Sequence, residues 1–156
     1  MKINVIVVLL AVAALSCDYQ KNSSIQNAAP DGIEGTWQLI SGTIIENDDT
    51  TITDYTKNQS MIKIINASHF AFLTHDLKKG KDSTALFAAG GGVYTLEGDQ
   101  YTEYLEYCSY REWEGNTFQF TVTVGNDTLI QRGVEKIENL GVDRLNIEKY
   151  SRIRNY

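Results

Sequence analysis

The sequence predicts an antiparallel all-β fold, and two features of the chain carry that prediction. From residue 33 onward the chain consists of short runs of β-branched and aromatic residues, broken by Gly, Asn and Asp. It contains only one proline, and no segment sustains a long helical stripe of apolar residues. Since a continuous series of hairpins can bury its inner face by closing into a barrel, we expect an up-and-down barrel of about eight to nine strands.

The predicted strands follow one another with turn residues between them at short intervals. Their approximate bounds are 35–45, 50–55, 60–65, 69–75, 91–97, 100–108, 117–125, 128–133 and 143–152. The only helix candidate is a weak one at residues 81–89. Such short segments, joined mostly by tight turns, favour neighbouring antiparallel strands.

The clearest strand is TFQFTVTV, residues 117–124. Its apolar side chains alternate with threonine and glutamine, which indicates one buried and one solvated face. Phe118 and Phe120 therefore point inward, together with Val122 and Val124. The following Gly125-Asn126-Asp127 reverses the chain and places Leu129 on the same inner face.

The segment 93–108 predicts a hairpin that turns at Gly98-Asp99. Glu97 then pairs with Gln100, and Tyr94 lies opposite Glu103. The more apolar face, which we assign inward, carries Tyr94, Leu96, Tyr101, Glu103, Leu105 and Tyr107. The outward face carries Val93, Thr95, Thr102, Tyr104, Glu106 and Cys108. The preceding glycines 90–92 allow a bulge, a bend or a close backbone approach.

Glu103 is the unusual residue of this hairpin, because a buried carboxylate is costly unless it is hydrogen-bonded or protonated. The hydroxyls of Tyr94 and Tyr101 are its predicted partners. One interpretation is structural: the three side chains form a closed network, or Glu103 sits at the wet rim. The other is functional: they line a cavity and orient the polar end of a ligand.

A second hairpin is predicted at residues 61–75, with a three-residue turn at 66–68. This register places Ile62, Ile64, Phe70 and Phe72 on the inner face. The outer face then carries Lys63, His69 and Ala71. A slip of one residue reverses the assignment. With two histidines and no compact His/Cys/carboxylate spacing, the sequence predicts no metal site, and nothing in it indicates a cofactor.

The first residues predict a secretory signal. Lys2 precedes an apolar run of thirteen residues, whereas a membrane-spanning helix needs about 20. Ala14-Leu15-Ser16-Cys17 resembles the lipobox of bacterial lipoproteins, although Ala14 stands where leucine is usual. We expect a signal peptide at 1–16, a lipidated flexible tether at 17–32 and the barrel at 33–156. The alternative is an ordinary secretory signal with an incidental cysteine.

Charge limits the partners of the processed chain. Without residues 1–16 it keeps 13 Lys and Arg against 20 Asp and Glu, a formal net charge of −7. This excess of acidic residues argues against nucleic acid as a partner. Lipidation at Cys17 makes the membrane the expected partner, and places the protein in the bacterial cell envelope, at the outer membrane or facing the periplasm.

Four segments together resemble a family of bacterial lipocalin-like lipoproteins over residues 33–154: GTWQLISG, SHFAF, GGGVYTLEGDQYTEYLEY and EKYSRI. The resemblance implies that Trp37 and Arg152 close one end of the barrel. It also implies that positions 69–70 and 90–92, Tyr94, Tyr101 and Glu103 recur in the family. In that superfamily the barrel interior commonly holds a hydrophobic or amphipathic small molecule, and the resemblance implies the same here. This chain is shorter than secreted lipocalins and lacks their disulfide, so a filled interior is the alternative.

These observations favour a lipid-anchored binding protein. Tyr94, Tyr101 and Glu103 would orient the polar group of a ligand. Its apolar body would contact Trp37, Phe70, Phe72, Phe118 and Phe120. The alternative is a filled barrel that acts through outer aromatic residues, namely Tyr104, Tyr110 and Trp113. Least favoured is an enzyme using Glu103 and a tyrosine as acid and base, because no second catalytic carboxylate is evident on that face.

Overall fold

The computed structural model describes residues 32–154, which form nine strands in one antiparallel sheet. The strands are β1 (Gly35–Glu46), β2 (Asp49–Asp54), β3 (Gln59–Ile65), β4 (His69–Asp76), β5 (Phe87–Glu97), β6 (Gln100–Cys108), β7 (Thr117–Gly125), β8 (Thr128–Ile137) and β9 (Val142–Arg152). Two short 3-10 helices, Arg111–Trp113 and Glu138–Leu140, precede β7 and β9. The predicted all-β fold is confirmed, and every predicted strand is present.

The sheet closes on itself because β1 is long enough to serve three neighbours. Its first residues, Gly35 to Gln38, pair with β3, and its second half, Ser41 to Glu46, pairs with β2. Along most of its length it also pairs with β9. Eight strands therefore form a closed antiparallel barrel, and β2 is an extra strand beside β1.

The weak helix prediction for residues 81–89 is wrong. The carboxylate of Asp82 accepts hydrogen bonds from the backbone N–H of Thr84 at 2.8 Å and from its hydroxyl at 2.5 Å. This local bonding competes with a helix, and the chain enters β5 at Phe87 instead of residue 91. At the other end of the barrel β8 also runs longer than predicted, to Ile137.

The β7–β8 hairpin confirms the predicted alternation of inward apolar and outward polar side chains along β7. Asn126 and Asp127 form its two-residue turn with φ of 50° and 60°, a left-handed conformation that these two residue types tolerate well. Leu129 pairs with Val124 and is fully buried. The inner face of β7 is therefore the one that its period of two predicts.

The β5–β6 hairpin has the predicted register near its turn and a bulge farther along. Tyr94 pairs with Glu103, as expected, but Gly92 pairs with Leu105 and Gly91 with Tyr107. The extra residue in β6 reverses the side-chain faces beyond it. The inward prediction for Tyr107 and the outward prediction for Cys108 are therefore wrong: the tyrosine is 70% exposed and the cysteine 8%.

The predicted register of the β3–β4 hairpin is also wrong, by one residue. Ile65 pairs with Phe70, so Lys63 shares the inner face with Phe70, and Ile62 and Ile64 face outward. The cause is the side chain of Asn66, whose Oδ1 accepts the backbone N–H groups of Ser68 at 2.9 Å and His69 at 2.8 Å. These bonds leave four residues, 66–69, between the last paired positions Ile65 and Phe70, whereas the prediction had three.

Trp37 and Arg152 lie opposite each other where β1 and β9 pair. The indole is fully buried and donates its Nε1–H to the carbonyl of Ile33 at 2.8 Å. The Arg152 guanidinium stacks 4.0 Å above the indole centroid and donates to the carbonyls of Glu34 at 2.7 Å and Gly32 at 2.8 Å. This stack joins the first barrel strand to the last.

A candidate ligand site inside the barrel

The barrel encloses a cavity of about 510 Å³ that is partly open to solvent. This volume lies within the range of about 300–1,000 Å³ that is typical of small-molecule sites. The lining combines aromatic and aliphatic side chains with ionisable ones. The charged groups are Lys63, Glu103, Glu135, Arg144 and Glu148, and the phenols of Tyr55, Tyr110 and Tyr150 also line the cavity.

The deepest charged group is Lys63, which is 2% exposed. Its ammonium donates hydrogen bonds to the Glu103 carboxylate and, at 2.7 Å, to Gln131 Oε1. It also lies 5.3 to 5.8 Å from the ring centroids of Tyr101, Phe70 and Tyr150. A buried charge is tolerated when it is paired and hydrogen-bonded, and the aromatic faces add attraction for the cation.

A second charged group links β8 and β9. Glu135 lies opposite Arg144 and accepts hydrogen bonds from its Nε and from the side chain of Asn146 at 2.7 and 2.8 Å. The Arg144 Nη2 lies 2.7 Å from the same carboxylate. The guanidinium also lies 5.3 Å from the ring centroid of Trp113. Both carboxylate oxygens of Glu135 are therefore satisfied within the protein.

The third carboxylate, Glu148, has a different environment. Its Oε2 accepts the Tyr150 hydroxyl at 2.7 Å, and no residue of 32–154 forms an ion pair with it. Burial raises the pKa of Tyr55, and the nearby Glu148 carboxylate raises it further. The same two causes raise the pKa of Tyr150 well above its usual value. Both tyrosines therefore remain neutral phenols around physiological pH.

The structure brings only part of the predicted site together. Glu103, Phe72, Phe118 and Phe120 line the cavity, whereas Trp37, Phe70, Tyr94 and Tyr101 are not part of its lining. The Tyr94 hydroxyl donates to the carbonyl of Asn66 at 2.7 Å. Tyr101 is fully buried with its ring 5.2 Å from Tyr94, and burial and the Glu103 carboxylate raise its pKa.

Glu103 thus pairs with Lys63, which also donates to Gln131, whereas the Tyr94 hydroxyl bonds elsewhere and the buried Tyr101 hydroxyl has no hydrogen-bond partner among the described residues. Six charged or amide side chains that line the cavity were not predicted from the sequence as site residues: Lys63, Gln131, Glu135, Arg144, Asn146 and Glu148. The sequence did contain a signal for two of them. Side chains alternate between the two faces of a strand, so Gln131 and Glu135 lie on the same inner face as Leu129. Two further carboxylates, those of Glu135 and Glu148, therefore accompany Glu103 in the cavity.

Comparison with protein-family models and with curated proteins finds no match to this chain. The resemblance to lipocalin-like lipoproteins therefore stays a prediction. The signal peptide, the tether up to residue 31 and lipidation of Cys17 also stay predictions, since they lie outside the described residues. Within residues 32–154, no helix has the length and apolar character needed to cross a membrane.

Proposed function

We propose that this protein is a lipid-anchored binding protein of the bacterial cell envelope, which holds a small hydrophobic or amphipathic molecule inside its barrel. The observation that carries the proposal is the interior cavity of about 510 Å³. A filled barrel has no such space between its side chains. The rings of Phe72, Phe118 and Phe120 offer apolar contact to the body of a ligand, beside a small number of convergent polar groups.

The anchoring part of the proposal rests on Cys17, which directly follows the apolar signal-like run and one serine. Membership of the lipocalin-like lipoproteins is proposed on the four sequence segments that resemble that family. The stack of Arg152 on Trp37 supports it, because the resemblance implies this pair at the closure of the barrel. Lipid attachment can be tested by the mass of the N-terminal peptide of the protein purified from its own host.

Ligand binding can be tested by native mass spectrometry of the protein from its own host, compared with its denatured mass. We expect a discrete additional mass in the native spectrum. A Thr74→Trp variant should lose it, because Thr74 lines the cavity and the indole would fill that space. Thr121→Trp makes the same change at an exposed position of β7 and should retain it. A clean apo mass, unchanged after incubation with envelope lipid extract, would contradict the proposal.

The outer wall supports a second candidate function, an interaction with an envelope partner. A groove of about 540 Å³ crosses β4 to β6, lined in part by Leu73, Ala89, Gly91 and Tyr107. Exposed apolar surface of this kind often marks an interaction site. Of the outer aromatic residues predicted from the sequence, Tyr104 is 39% and Tyr110 50% exposed, whereas Tyr110 and Trp113 also line the cavity. Loss of envelope cross-links in Tyr107→Ser, with cavity ligand retained, would favour this function.

A further inference from the structure

The charges that line the cavity do not balance. Two cations face three carboxylates, which leaves a net charge of −1. Lys63 neutralises Glu103, and Arg144 neutralises Glu135. Glu148 is therefore the carboxylate that no cation within residues 32–154 compensates.

Glu148 lines the cavity, which is partly open to solvent. Its partner across the β1–β9 pair is Gly42, and the ring of Tyr55 packs over this glycine, where a Cβ would lie 3.1 Å from the ring. One oxygen, Oε2, accepts the hydroxyl of Tyr150, and no side chain of the described residues donates to Oε1. Removing an unpaired carboxylate from water costs free energy, so a cation that enters the cavity and bonds Glu148 offsets that cost.

The rings of the barrel interior already hold cations. Lys63 lies near the faces of three aromatic side chains, and Arg144 lies over Trp113. The negative face of an aromatic ring attracts a cation, and this attraction grows when water is excluded. The interior therefore favours positive charge through its rings as well as through its unpaired carboxylate.

We infer that the cavity selects an amphipathic ligand with a cationic head, such as a primary ammonium, and that Glu148 binds this head. The inference rests on the proposed binding function and names the chemical class of its ligand. The ammonium donates to the free oxygen of Glu148, and the apolar body packs against Phe72, Phe118 and Phe120. A ligand with a carboxylate head meets repulsion from Glu148 in the same position.

The test uses three probes with the same ten-carbon chain: decylammonium, decanol and decanoate. Their Kd values are measured by isothermal titration calorimetry on the chain without residues 1–16 and with Cys17→Ser, which removes both the apolar signal-like run and the predicted lipid. We expect decylammonium to bind about tenfold more tightly than decanol, and decanoate to bind least tightly. Glu148→Gln should remove this preference, so that decylammonium binds no more tightly than decanol, while the amide oxygen still accepts the Tyr150 hydrogen bond.

Glu106→Gln is the matched control, since it removes the same charge from an exposed position in β6. It should leave all three Kd values unchanged. Two outcomes would overturn the inference while the proposed binding function stands. In the first, decanol binds and decylammonium binds no more tightly. In the second, decylammonium still binds more tightly than decanol in Glu148→Gln. If none of the three probes binds, both are overturned.

Discussion

Lys63 is held inside the barrel by partners from distant parts of the chain. Glu103 of β6 and Gln131 of β8 accept its hydrogen bonds. Removing two charges from water is expensive, and their attraction repays this only with good geometry and additional hydrogen bonds. The Gln131 contact supplies one such bond. Each member of the group therefore depends on the others for its burial.

Removing the lysine alone should be strongly destabilising. In Lys63→Met the Glu103 carboxylate stays buried without a cation, and we expect the free energy of unfolding to fall by about 3–5 kcal/mol. The double variant Lys63→Met/Glu103→Leu replaces both charges by apolar groups and should recover most of this loss. Equilibrium unfolding in urea measures all three proteins.

Lys149→Met provides the control, because Lys149 is exposed on β9 and its replacement should change stability by less than about 0.5 kcal/mol. A double variant as unstable as Lys63→Met would show that an unpaired carboxylate is not the source of the loss.

At the scale of single strands, the bulge in β6 determines which side chains reach the cavity. Beyond it, Cys108 faces inward and Tyr107 outward, against the simple alternation of the strand. The bulge brings the backbone of β6 against Gly92. A Cβ at this position would lie 1.9 Å from the carbonyl oxygen of Tyr104 and 2.9 Å from the backbone nitrogen of Glu106.

Gly92→Ala should therefore lower the free energy of unfolding by at least about 1–3 kcal/mol, because backbone must shift to admit the methyl group. Gly125→Ala is the comparison: a Cβ there meets nothing within 4 Å. Thermal unfolding followed by circular dichroism distinguishes the two. Equal melting temperatures for the two variants would show that the bulge adjusts without cost.

The connection between β4 and β5 depends on one carboxylate, that of Asp76. It accepts the backbone N–H groups of Leu86 at 3.0 Å and Gly80 at 3.0 and 3.1 Å. The hydrogen bond from Leu86, and next that from Gly80, lower the pKa of Asp76 below its usual value. Its contribution to stability is therefore present above the unfolded-state pKa of about 3.9 and is lost as the pH falls through the lower folded-state pKa.

We expect Asp76→Asn to be less stable than the unchanged protein at pH 7 and to lose less stability on acidification. The amide cannot provide a charged acceptor for both N–H groups at any pH. Urea midpoints between pH 7 and about pH 2.5 give the two profiles. Parallel profiles would mean that Asp76 does not contribute to the acid sensitivity of the fold.

For the molecule as a whole, the pairing of β1 with β9 converts an open sheet into a barrel and so creates an interior. Near one end of this pairing the Arg152 guanidinium covers the fully buried Trp37 ring. It also holds the chain before β1 through the carbonyls of Gly32 and Glu34. The arginine thus connects the entry of the first strand to the end of the last.

Arg152→Ala should lower the free energy of unfolding by about 1–3 kcal/mol, since it loses a cation–π contact and two charged hydrogen bonds. Arg152→Lys should lose less of the free energy of unfolding than Arg152→Ala, but it should not match the unchanged protein. An ammonium lacks the planar group of donors that reaches both carbonyls. Amide hydrogen exchange should accelerate most in β1 and β9. Arg132→Ala, at an exposed position of β8, is the control; uniform acceleration over all strands would contradict a role in closure.

The strands and most of their inner faces could be predicted from the sequence, because both depend on local properties. Turn residues such as Asn126-Asp127 mark where the chain reverses, and a period of two marks the buried face of β7. The pairing of Tyr94 with Glu103 likewise follows from a tight turn a few residues away. For the same reason Glu103 was recognised as a carboxylate on the inner face.

Only the tertiary structure decided what surrounds Glu103 and which charges line the cavity. Lys63 lies 40 residues from Glu103 and 68 from Gln131 in the chain, so no local pattern pairs them. Its inward face depends on the Asn66 side chain, which adds one residue to a turn and thereby reverses a strand. The bulge at β6 and the closure of β1 on β9 complete the interior in the same way, through contacts between distant residues.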